Sequence, residues 1–178
     1  MKNNLHLASA LAGVLIFVVG CGALRAETVK ATVDTVKGTV EFAPPGSGSF
    51  APLTKGQELA VGSTIRTGSD GEADITTTPG SAIHLGPDSN LRINALAFAK
   101  SGGTVTQREA HLQLDSGVVS ALIDPSTPKV TDFQVQTPEG SAAARGTFYA
   151  VMVSHGKTYV SVERGKVGAA ATTKQHSL

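Results

Sequence analysis

The chain of 178 residues has no tryptophan, one cysteine, six phenylalanines and two tyrosines. The lone Cys21 has no intrachain disulfide partner and builds no thiolate metal site. Few aromatics leave little ring surface to stack on sugar faces, which weakens a glycan-binding reading. An excess of either charge is missing as well: 15 Lys and Arg stand against 14 Asp and Glu, with the positive residues scattered singly. That balance excludes the basic patch expected of a nucleic-acid binder. After the first twenty residues no apolar run approaches the length, about 20 residues, of a membrane-spanning helix.

What remains is glycine, valine and threonine. Twenty glycines and an ordinary 40% hydrophobic content favour short strands joined by tight turns and argue against disorder. The N-terminus has the pattern of an export signal: Lys2 as the positive region, then the apolar run Ala8 to Gly20. Two processing sites stay open. Val18-Val19-Gly20-Cys21 is similar to a bacterial lipobox, in which Cys21 is acylated and becomes the first mature residue. Alternatively, cleavage follows Ala26 or Ala23, and Cys21 is discarded with the signal. Export is expected either way, to the periplasm, to an outer-membrane lipid anchor or to the outside. A lipid on Cys21 is the one expected membrane attachment.

The rest alternates with a period of two, interrupted by turn signals about every 8 to 12 residues, the spacing of an all-β sandwich, barrel or roll. The expected strands run Thr32 to Glu41, Leu59 to Thr67, from Ala73 to the Pro79-Gly80 turn, Ala82 to Leu85 and around Leu91 to Leu96. They continue with Thr104 to Leu114, Val118 to Ile123, Phe133 to Thr137, Phe148 to Ser154, Thr158 to Val162 and a last one near Val167. His155-Gly156-Lys157 and Arg164-Gly165-Lys166 are expected hairpin tips, so a meander should close the domain. Apolar residues on both faces of Phe148 to Val153 suggest a strand covered on both sides. The expectation is one domain of about ten to twelve short strands, either a two-sheet sandwich or a short β-helix-like roll. Its bounds are 1–26 for the signal, 27–169 for the β domain and 170–178 for a loose tail.

A succession of motifs carries a family likeness. It runs through Gly38, Leu53, Gly56, Leu59, Gly62, Ile65, Thr67-Gly68, Gly71-Glu72-Ala73, Gly80-Ser81 and Leu91. It continues with Leu114, Gly117-Val118, Phe133, Val135, Thr137-Pro138 and the more specific Ala144-Arg145-Gly146-Thr147, then Tyr149 and Val151. This pattern resembles the FecR domain, with Phe50 standing where the family usually has an aromatic nearer Leu53. The resemblance implies an exported, non-catalytic sensor or interaction domain. In full FecR-type regulators such a domain follows a cytoplasmic anti-sigma segment and one membrane helix. It precedes a C-terminal subdomain that meets an outer-membrane iron-siderophore transporter. The signal at the start and the end soon after the last strand lead us to expect a stand-alone FecR domain. Its partner would be another envelope protein, with no cofactor.

A search for chemistry finds no competing site. His84, His111, His155 and His176 form no metal-ligand spacing, and no serine sits in a G-x-S-x-G elbow. His84 is expected to face solvent or a local partner, and His111 to join a solvated cross-strand pair with Arg108 and Glu109 nearby. Asp70, Glu72 and Asp74 alternate at a turn and have too few ligands for calcium. Gly46-Ser47-Gly48-Ser49 lacks the lysine and helix of a phosphate loop. Arg145 either pairs with a carboxylate to fix a strand crossover or offers its guanidinium to an anion, with the structural role preferred. Thr67, Gly68, Gly80, Thr137, Pro138, Gly146 and Thr147 are read as structural motif residues. The remaining choice is between a protein-interaction domain and a glycan-binding or passive structural one.

Overall fold

The structure is a computed structural model that describes residues 29–172. The expected export signal, Cys21 and residues 173–178 of the expected tail lie outside the described residues. Fourteen strands and no helix make up what is described. They form one hydrogen-bonded sheet that curls over on itself into two layers around a single core.

The first layer is ordered β3(Ala51–Pro52), β2(Val40–Ala43), β5(Thr64–Thr67), β8(Asn90–Ser101), the first half of β9(Thr104–Ile123), β10(Thr131–Thr137), β11(Gly140–Ala144) and β14(Val167–Ala171). The second is ordered β4(Glu58–Leu59), β1(Ala31–Lys37), β6(Glu72–Thr78), β7(Ser81–Leu85), the second half of β9, β12(Phe148–Ser154) and β13(Lys157–Arg164). The layers face each other directly where Phe133 of β10 meets Tyr149 of β12, ring edge to ring face at 6.4 Å. Alternation does the sorting: Ala73, Ile75 and Thr77 point inward on β6, Phe133 and Val135 on β10, Tyr149, Val151 and Val153 on β12.

The long strand β9 joins the layers, and its burial changes phase midway. Arg108, Ala110, Leu112 and Leu114 are buried, all even; Val119, Ala121 and Ile123 are buried, all odd. One extra residue near Asp115 shifts the register from Leu91↔Leu114 to Asn90↔Ser116, and Gly117 follows at φ 85°. This is a β-bulge, which bends a strand and swaps its faces. Glycine is required there twice over: for the positive φ, and because a Cβ would lie 2.1 Å from Ser89 Oγ. The corner is closed by Val118 N–H donating to Ser89 Oγ at 2.9 Å and Gly86 N–H donating to Val118 O at 3.0 Å.

Several sequence expectations need correction. Gly117 does not separate two strands; Thr104 to Leu114 and Val118 to Ile123 are one strand. Thr32 to Glu41 and Leu59 to Thr67 each divide in two, because the chain changes layer near Gly38 and after β4. Arg164-Gly165-Lys166 is no hairpin tip: β13 pairs with β12, whereas β14 crosses to the other layer and pairs with β11. His155-Gly156 is a true hairpin turn, with both residues at positive φ. Among the described residues Phe148 to Val153 is covered on one face only, since Phe148 and Met152 are 36% and 41% exposed. The loose tail cannot begin at Ala170, because Ala170 and Ala171 pair with Ser141 and Gly140. The count of fourteen exceeds the expected ten to twelve because the two divided strands and the unexpected β3 and β11 outnumber the single merger in β9; β3 is two residues long and β11 is a run of small residues, so neither leaves a periodic signal.

Candidate functional site

The motif residues sit at the places where the chain turns or changes layer. Thr67 is buried at the corner beside the bulge; its hydroxyl donates to Gly86 O at 2.7 Å and accepts Ser89 N–H at 2.9 Å. Gly68 N–H donates to Thr39 O at 2.8 Å, and Gly68 O accepts Asp88 N–H at 3.1 Å. Thr137 closes the β10–β11 turn through Gly140 O at 3.1 Å and meets the Thr158 hydroxyl of β13 at 2.9 Å, while Pro138 is exposed at the turn itself. Gly146 and Thr147 carry the chain from β11 to β12. Thr147 Oγ1 donates to Lys166 O at 3.2 Å, so the outgoing and returning crossovers are tied to each other.

The arginine that fixes a crossover is Arg108, not Arg145. Arg145 is exposed and has no ion pair or side-chain hydrogen bond among the described residues. Arg108 was expected on a solvated face, yet it is 3% exposed. Its Nε donates to Pro79 O at 2.9 Å, and its Nη1 donates to Thr127 Oγ1 at 3.0 Å and Thr131 Oγ1 at 3.3 Å. Nη2 lies 3.6 Å from Asp124 Oδ2. The planar fork therefore ties the β6–β7 turn, the end of β9 and the loop into β10 to one point. This explains Gly80: a Cβ there would lie 2.5 Å from Arg108 Nη2, at φ 81°. The signal was present in the sequence, because Arg108 shares parity with inward Ala110, Leu112 and Leu114.

The other titratable groups are dispersed into local pairs. His84 Nδ1 is 2.8 Å from Asp74 Oδ1, and Thr35 also donates to the Asp74 carboxylate. These hydrogen bonds, that of Thr35 first, hold the Asp74 carboxyl below its ordinary value. Glu72 pairs with Lys37 at 3.2 Å, and Asp70 accepts Thr39 N–H. The three carboxylates thus go to three different partners and share no centre. His111 lies 3.1 Å from Asp132 across the β9–β10 pair, the cross-strand arrangement expected for it. Asp124 is lowered by the N–H and hydroxyl of Ser126, with Arg108 a smaller cause. Burial alone pushes the Tyr149 phenol upward, and its hydroxyl has no hydrogen-bond partner among the described residues.

One surface differs from the rest. The outer face of the second layer is polar over β1, β6 and β7, where Thr32 opposes Thr76 and Thr35 opposes Asp74. It becomes apolar over β9, β12 and β13. There Leu122 (61% exposed) lies opposite Phe148, and Met152 lies between Val118 and Tyr159 (49% exposed). At its edge a cleft of about 510 Å³ runs past Leu122, Pro125, Phe148 and Arg164 to the Gly146-Thr147 crossover. Sequence reasoning missed this face because it took the outward side of β12 as covered.

The fold and these turns define an all-β, two-layer domain whose motif residues shape crossovers rather than assemble reacting groups. The chain belongs to the FecR family: the family model described as FecR protein matches residues 63–168. That is a regulatory and signalling family associated with the cell envelope. The match starts at Ser63, before the Thr67-Gly68 corner, and ends at Gly168 on β14, so it contains Arg108, both crossovers and the apolar face. No curated protein matches the chain, and no solved structure does.

Proposed function

We propose that this chain is a non-catalytic, exported envelope domain that works by binding another protein through the outer face of β12 and β13 and the edge of β13. The observation that carries this reading is the uncovered ladder Leu122–Phe148 and Val118–Met152–Tyr159 on an otherwise polar layer. Large exposed apolar side chains gathered on one face, here in two rows either side of Ser120–Ala150–Ser161, mark an interaction surface. Membership of a signalling family supports the same reading. So does the dispersal of His84, His111 and the acidic residues into separate pairs. The export-signal pattern and the lipobox-like Cys21 support a location in the periplasm, on an outer-membrane lipid anchor or outside the cell.

The test is crosslinking in intact cells, with a photoreactive residue at Met152 or Thr35, followed by mass spectrometry of what is captured. Reproducible protein adducts from Met152 and none from Thr35 are expected. Equal adducts from both positions, or recovery of cell-wall fragments alone, would overturn the proposal in favour of a glycan-binding or passive role.

A further inference from the structure

Edge strands with unpaired backbone groups are liabilities that folded proteins blunt. This protein blunts one side only. At one side the layers end in β3 and β4, two residues each, with Pro52 in β3. At the other they end, among the described residues, in β14, five residues, and β13, eight residues, which pairs there only with β12. The central stretch Thr158 to Val162 carries no charge, and Tyr159, Val160 and Val162 are 49%, 37% and 43% exposed.

The register fixes what this edge offers. Ser154↔Lys157 closes the two-residue hairpin turn and is a hydrogen-bonded pair, so Lys157, Tyr159 and Ser161 spend their backbone groups on β12. Thr158, Val160 and Val162 turn theirs outward. Glu139 Oε2 accepts Thr158 N–H at 3.1 Å, which shows that direction directly and leaves the Thr158 carbonyl as its outward group.

We propose that β13 pairs antiparallel with β13 of a second copy, centred on Val160, so that the second layer continues across a two-fold axis. This rests on the reading of β12 and β13 as the binding surface. Outward residues must oppose outward residues, which admits only registers in which even numbers face even numbers. Centring on Val160 places Lys157 opposite Glu163 twice, with Tyr159 opposite Ser161 on the outer face. On the inner face Val160 meets its own copy and Val162 meets Thr158, covering the valines that overhang the core. Centring on Val162 instead sets Arg164 against Val160, and centring on Tyr159 leaves Glu163 without an opposing cation. Opposite charges on facing positions select the first register.

Sedimentation of the purified exported protein up to roughly 0.5 mM tests this. A concentration-dependent dimer is expected. Lys157→Glu or Glu163→Lys alone sets like charges opposite each other twice and should weaken it about ten-fold, and the two together should restore it. Val160→Pro removes the central outward N–H without breaking a bond to β12 and should abolish the dimer while leaving the melting temperature near wild type. A monomer throughout overturns self-pairing, while the photocrosslinks from Met152 judge the wider surface independently. Dimerisation that survives Val160→Pro, or a charge swap that fails to restore, also overturns it.

Discussion

Arg108→Met removes a guanidinium and keeps the stem, so it isolates what the fork contributes. Arg108 is 3% exposed and makes hydrogen bonds to Pro79 O, Thr127 Oγ1 and Thr131 Oγ1 at 2.9, 3.0 and 3.3 Å. Each hydrogen bond from a charged donor contributes about 1.5–3 kcal/mol. They do not add up in full. Pro79 and Asp124 lie near the surface and rehydrate when the guanidinium goes. Methionine also escapes the desolvation that the buried cation suffers. Thr131, 2% exposed, keeps its bond to Thr127 O at 2.8 Å. The net loss should therefore be about 1–3 kcal/mol, read as a lower urea midpoint with an unchanged slope. Arg108→Lys should fall between, since an ammonium reaches one or two acceptors but not all three segments. Arg145→Met is the control and should stay within about 0.5 kcal/mol, because its side chain is exposed. Equal midpoints for Arg108→Met and wild type, or a larger loss at Arg145, would refute the assignment of the crossover lock.

Gly117→Ala should cost about 2–4 kcal/mol, because the residue sits at φ 85° and a Cβ would meet Ser89; a melting temperature lower by roughly 5–15 °C is the readout. Tyr149→Phe removes a buried hydroxyl that has no partner among the described residues while keeping the ring against Phe133, so thermal unfolding should show equal or greater stability; a loss above about 1 kcal/mol would mean the hydroxyl is satisfied. The lowered Asp74 carboxyl contributes stability that is present above the ordinary aspartate range and lost as pH falls through its folded value. Acid titration of unfolding should therefore be shallower below about pH 4 in Asp74→Asn than in wild type.

The all-β class, the spacing of the turns and the His155-Gly156 hairpin were legible because alternation and positive-φ turn residues are local signals. The layer assignments were not. A glycine marks a place where the backbone departs from the strand, but Gly117 at a bulge, Gly165 at a crossover and Gly156 in a hairpin have the same sequence signature. Only pairing partners far along the chain tell them apart, as when β14 joins β11 instead of β13. The motif arginine misled for a related reason. Arg145 stands beside Gly146 in the more specific motif, so it drew the structural role. Arg108 is buried by its inward parity and by the Pro79-Gly80 turn arriving from 28 residues upstream. The apolar face escaped notice because hydrophobic residues on both sides of a strand show affinity for cover without showing whether this chain supplies it.

The most direct test of the open β13 edge is amide hydrogen exchange, residue by residue, in the dilute protein. The account predicts that Tyr159 and Ser161, whose N–H groups are held by β12, are protected while Val160 and Val162 exchange quickly, and that raising the concentration or adding a captured partner slows those two. Strong protection of Val160 and Val162 in the dilute monomer would mean the chain already covers its own edge, and would contradict the claim that this side of the domain is kept open for binding.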